Sequence, residues 1–107
     1  MSKTPEHILK KIQITKEKRL KKLDLRWLYR GEPLTEIPIE VFDLEQLEVL
    51  DLGNNQLTTV PDALAQLHNL TTLDLSYNPI TGIFPQILKL KRLHNLKQLY
   101  LRLVFLF

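Results

Sequence analysis

Leucines recur along this chain at fixed intervals, with polar residues at fixed places between them. One stretch reads Leu47-Glu-Val-Leu50-Asp-Leu52-Gly-Asn-Asn55-Gln-Leu57-Thr-Thr-Val60-Pro61. A second reads Leu70-Thr-Thr-Leu73-Asp-Leu75-Ser-Tyr-Asn78-Pro-Ile80-Thr-Gly-Ile83. Before both, Leu20-Lys-Lys-Leu23-Asp-Leu25 leads to Leu34-Thr-Glu-Ile37-Pro38. Leu47 to Leu70 is a step of 23 residues. Self-similarity at that period predicts a solenoid, in which each repeat buries its apolar side against the next. Within each repeat the Leu-x-Leu core alternates, as a half-buried strand does. Strands are predicted at Leu23-Asp24-Leu25, Leu50-Asp51-Leu52, Leu73-Asp74-Leu75 and Leu99-Tyr100-Leu101. Their leucines point inward and the residue between them outward.

The return segments follow the same logic. Leu34, Ile37, Val41 and Leu44 supply inward residues in the first repeat, and Leu57, Val60, Leu64 and Leu67 in the second. Pro38 and Pro61 cannot donate to a ladder, so they suit an irregular return side. Asn55 and Asn78 sit just past their strands, where a side-chain amide satisfies backbone groups of its own turn and the adjacent one. They are read as a structural ladder. Ahead of the repeats, Thr4 is expected to cap a helix, with Pro5 in its first position and Glu6 at its positive end. Ile8, Leu9 and Ile12 fall at helical spacing. Residues 1–19 are read as a basic helix covering the open first edge, and residues 20–107 as about three full repeats plus a partial last one.

These residues resemble the leucine-rich repeat family, over about three quarters of the chain from Leu20 to Leu101. The pattern LxxLxLxxNxLxxIP is similar to short bacterial repeats such as those of signalling proteins, including Roco-type GTPases. The resemblance implies an α/β leucine-rich repeat solenoid with its parallel sheet on the concave face. It also implies protein–protein interaction. The pattern departs in places. The first repeat carries about four extra residues around Trp27 to Pro33, and Leu28 stands where Asn is expected. The third has Phe84 at the proline position and about three extra residues before Leu96, and Val104 replaces the last Asn. Bulges in the outer segment are expected there, because insertions in repeats map to loops.

Composition narrows the functional classes. The chain has 107 residues, 44% apolar and 25% charged, an ordinary ordered balance. It has no Cys, which excludes disulfides and thiolate metal sites and leans toward a reducing compartment. The start, Met1-Ser-Lys-Thr-Pro-Glu-His, lacks the apolar run of a secretory signal, and charges interrupt every apolar stretch. A cytoplasmic location is expected. Residues 1–30 carry ten Lys/Arg against three acids; residues 31–88 carry nine acids and no Lys or Arg; residues 89–107 carry five Lys/Arg and no acid. The Lys-rich start, Lys10 to Lys22, could meet nucleic acid or an anionic surface. It lacks interleaved aromatics, which argues against single-strand binding.

Candidate chemistry is sparse. No phosphate-cradling loop is present, and the three glycines are too few for a cofactor turn. His7, His68 and His94 have no paired ligand spacing. No cofactor, metal or catalytic residue is assigned. Asp24, Asp51 and Asp74 occupy equivalent outward positions on strands about 4.8 Å apart. Like charges at that spacing would raise their pKa values. They are read as a solvated acidic stripe, with a partner-binding stripe as the alternative.

By register, the concave face shows Arg26 and Trp27 in the first repeat, Asp51 and Asn54 in the second, and Asp74, Ser76 and Tyr77 in the third. Gln98, Tyr100 and Arg102 complete it. Aromatic and Arg residues are typical binding hot spots, which singles out Trp27, Tyr77, Tyr100 and Arg102. Trp27 has a competing role, packing inside the first repeat's insertion. The leading reading is a small or truncated intracellular module that presents this face to an unidentified protein partner. One alternative is a non-catalytic cap and repeat fragment of a larger signalling protein. The other is anionic-surface or nucleic-acid binding by the basic helix. The apolar end Leu103-Val-Phe-Leu-Phe107 implies an open edge, from a truncated array or one that self-associates.

Overall fold

Each Leu-x-Leu site forms a three-residue strand: β1 (Lys22–Asp24), β2 (Val49–Asp51), β3 (Thr72–Asp74) and β4 (Gln98–Tyr100). The computed structural model describes residues 4–102, with 83 and 84 described by backbone alone. The strands form one parallel sheet in chain order. The register is unbroken: Leu23 pairs with Leu50, Leu50 with Leu73, and Leu73 with Leu99. Equal spacing in sequence therefore becomes stacking in space. Leu23, Leu50 and Leu73 are 1%, 0% and 0% exposed. Each such burial stabilises by about 1.5–3 kcal/mol. The last repeat departs from this, with Leu99 37% exposed and Leu101 only partly buried.

The predicted inward residues of both returns are buried, from Leu34 to Leu44 and from Leu57 to Leu67. These returns are short 3-10 helices, Ile39–Asp43 and Asp62–Gln66. Each follows a proline. The Pro38 carbonyl accepts from Val41 N–H at 3.0 Å and the Pro61 carbonyl from Leu64 N–H at 3.2 Å. A proline has no N–H to lose and a preset φ, so it starts such a turn at little cost.

The third return differs from the expected bulge. Its extra residues form an α-helix, Ile83–Leu90 (α2), entered through Gly82 at φ 59°. Pro85 lies in the first turn, where helix N–H groups have no intrahelical partner. The helix docks on the preceding repeat. Gln86 Oε1 accepts from Val60 N–H at 2.8 Å, and Lys89 Nζ donates to the Val60 carbonyl at 3.0 Å.

At the other side, α1 spans Glu6–Glu17 and packs on β1 and the first 3-10 helix. Ile12 and Thr15 are its buried residues. The expected Thr4 cap is not formed. Pro5 is the residue before the helix, and its carbonyl accepts from Ile8 and Leu9 N–H groups. Thr4 Oγ1 instead donates to Glu40 Oε1 at 2.7 Å, tying the helix start to the first return. Leu103–Phe107, on which the expected open edge rests, lie outside the described residues. Among the described residues, no helix is long and apolar enough to cross a membrane.

Candidate functional site on the concave face

The turns that follow the strands are held by two side-chain ladders. The inner one is asparagine. Asn55 Oδ1 accepts from Leu34 N–H, and its Nδ2 donates to the carbonyls of Leu25, Leu52 and Gly53. Asn78 repeats this one step along, with Leu57 N–H and the carbonyls of Leu52, Leu75 and Ser76. Both side chains are buried, and each joins two repeats.

The outer ladder is aspartate. Asp24, Asp51 and Asp74 each use Oδ1 to accept the N–H two residues on, from Arg26, Gly53 and Ser76 at 3.1, 2.9 and 2.9 Å. The acidic stripe thus closes the strand-to-turn corners. Arg26 then spans two of its members. Its Nη2 donates to Asp24 Oδ2 at 2.8 Å, and its Nε lies 3.3 Å from Asp51 Oδ2. The expectation that like charges raise these acids fails for Asp24: its hydrogen bond to the Arg26 guanidinium holds its carboxyl below the usual range. Asp51 moves up, chiefly because it is half-buried, with Asp74 and Asp24 adding to the effect against the Gly53 N–H.

The insertion of the first repeat folds back as a turn with Tyr29 at φ 64° and Gly31 at φ 69°. Trp27 Nε1 donates to the Gly31 carbonyl at 3.0 Å, and its ring tilts against Tyr29 with centroids 4.6 Å apart. Both readings of Trp27 therefore describe one position: it packs on the insertion and lines the concave groove. Asn54 and Tyr77 take the left-handed conformation at equivalent places, φ 57° and 59°. Asn54 Nδ2 donates to the Trp27 carbonyl at 3.1 Å. Arg102 Nη1 approaches the Tyr77 hydroxyl at 3.4 Å.

These elements enclose an open groove of about 530 Å³. Trp27, Tyr77, Tyr100 and Arg102 all line it, as do Arg26, Asn54, Asp74 and Ser76. Ser76 is 5% exposed, and its hydroxyl accepts from the Arg102 N–H, so it is part of the floor. Asp51 and Gln98 are not among the lining residues. Gln98 Oε1 accepts from Thr72 Oγ1 instead. Leu28 and Tyr29 line the groove without having been singled out. The available signal was the insertion itself, where Gly31 closes a turn that has to present its aromatic neighbours. Among the described residues, no group of three or more His, Asp or Glu is placed to hold a metal ion.

A family model described as "Leucine rich repeat" matches residues 18–80, and one described as "Leucine Rich repeats (2 copies)" matches residues 68–103. The chain belongs to the leucine-rich repeat family. Among solved structures, the leucine-rich repeat array is similar to a leucine-rich repeat protein of Leptospira interrogans, at 38% identity and a TM-score of 0.53. That match covers 64% of this chain and 17% of the Leptospira chain, so the present sequence spans a small part of that protein's length. No curated protein matches the sequence.

Proposed function

We propose that this leucine-rich repeat array is a protein-binding module whose partner docks in the concave groove. The observation that carries the reading is a set of large side chains standing open on a rigid sheet. Tyr77 and Tyr100 are 45% and 48% exposed, with Arg102 beside them. The Tyr77 turn is held by the buried Asn78 and by the Asp74 bond to the Ser76 N–H, and Tyr100 stands on β4 beside Asp74. Tyr and Arg dominate binding hot spots, and a preorganised backbone lowers the entropy lost on association. Recognition here is by shape and charge, with no bond made or broken. The test is partner capture by the immobilised chain, repeated with Tyr77→Ala and Tyr100→Ala. Capture lost from both variants, with unchanged circular dichroism, supports the groove. Capture unchanged by both rules it out.

A further inference from the structure

We propose that the groove receives an arginine side chain of the partner, its guanidinium seated on Asp74 and Asn54 between the aromatic walls. This rests on the protein-binding reading above and names the chemistry of the occupant. Three observations meet at one place.

The first is a surplus of acceptors on the floor. Asp74 spends Oδ1 on the Ser76 N–H, and its Oδ2 has no hydrogen bond or ion pair among the described residues. Asn54 spends Nδ2 on the Trp27 carbonyl, which leaves Oδ1 as its remaining polar atom. The second is charge. Arg26 is shared between Asp24 and Asp51, so one guanidinium serves two carboxylates. Asp74 is the one carboxylate among the residues that line the groove, and neither Arg26, held by Asp24 and Asp51, nor Arg102, on the Tyr77 hydroxyl, forms an ion pair with it. A cation from outside can pair with its free Oδ2. The third is the walls. Trp27 with Tyr29 stands on one side, and Tyr77 with Tyr100 on the other. The register sets Tyr100 directly beside Asp74. Aromatic faces attract cations, and a planar guanidinium both stacks on them and offers several donors to separated acceptors. An ammonium offers neither the plane nor the fork.

The test uses the full chain and a displayed library of random 12-residue peptides. Binders are kept if they fail to bind Tyr77→Ala and Tyr100→Ala, then made synthetically and titrated. Trp27 is the only tryptophan and lines the groove, so its emission reads occupancy directly. Asp74→Asn is the decisive variant, since the amide oxygen keeps the Ser76 N–H bond while the charge is gone. The expected result is a recurrent arginine whose change to Gln, like Asp74→Asn in the protein, weakens binding by about ten-fold or more. Groove-dependent peptides without a recurrent arginine, or indifferent to Asp74→Asn, would overturn the inference and leave the protein-binding reading standing. If no selected peptide depends on Tyr77 or Tyr100, both readings fall.

Discussion

Replacing Asn78 by alanine removes four hydrogen bonds at once, but the lost bonds are not equal. Leu52 carbonyl keeps the Asn55 amide, and Ser76 carbonyl keeps the Asn54 N–H. Leu57 N–H and the Leu75 carbonyl have no other partner among the described residues. Two backbone groups are therefore orphaned in a region where Leu57 and Leu75 are each 1% exposed. An unsatisfied buried group costs about 1–3 kcal/mol, so the variant should lose about 2–6 kcal/mol. Domain stabilities are roughly 5–15 kcal/mol, which makes this a large fraction. Urea unfolding followed by circular dichroism and by Trp27 emission is the assay, with a midpoint drop of about 1 M or more expected. Asn69→Ala is the matched control. Asn69 also bonds a carbonyl of the preceding repeat, that of Glu45, but from an exposed position. It should stay within about 0.5 kcal/mol of the parent. If Asn78→Ala does the same, water or relaxation satisfies those groups and the ladder is not what joins the repeats.

Other perturbations separate the remaining forces. Leu73→Ala should cost about 2–5 kcal/mol by urea unfolding, whereas Leu28→Ala, at a 63% exposed site, should be near neutral. Gly82→Ala should cost about 1 kcal/mol from left-handed strain alone, because nothing lies within 4 Å of the added carbon. Asp51→Asn keeps the acceptor for Gly53 and removes a charge that burial disfavours. It should be more stable than the parent at pH 7, an advantage that vanishes as pH falls from the raised folded pKa through the ordinary carboxylate value. Asp24→Asn has the opposite sign. Its depressed pKa means the ionised form stabilises the fold, so the variant loses stability at pH 7, and the loss vanishes as pH falls through the lowered value.

The periodic parts of this molecule were legible because stacking turns sequence spacing into position. Leu23, Leu50 and Leu73 were placed by register alone, and so were the inward residues of both proline-led returns. Legibility ended where the period broke. The extra residues of the third return carry helix formers around Pro85, and a proline that would break a helix interior is harmless in its first turn. Thr4 was a sound capping residue, but the helix begins at Glu6 with Pro5 in the capping position, which leaves Thr4 one residue too early and its hydroxyl free to donate to Glu40. The pKa of Asp24 likewise depended on a residue across the turn: charge spacing indicated repulsion, and the geometry of Arg26 reversed it. In the groove, the register named Tyr77 and Tyr100. It could not show that the insertion bends Tyr29 over Trp27, because that depends on two left-handed residues in a non-repeating segment.

Amide NMR mapping tests the central claim most directly. A groove-selected peptide, titrated into the labelled chain, should shift resonances of Arg26, Asn54, Tyr77 and Arg102, which follow successive strands on the concave side. Shifts confined instead to Lys10, Lys11 and Lys16 on the basic cap, or to the outer returns, would contradict the account.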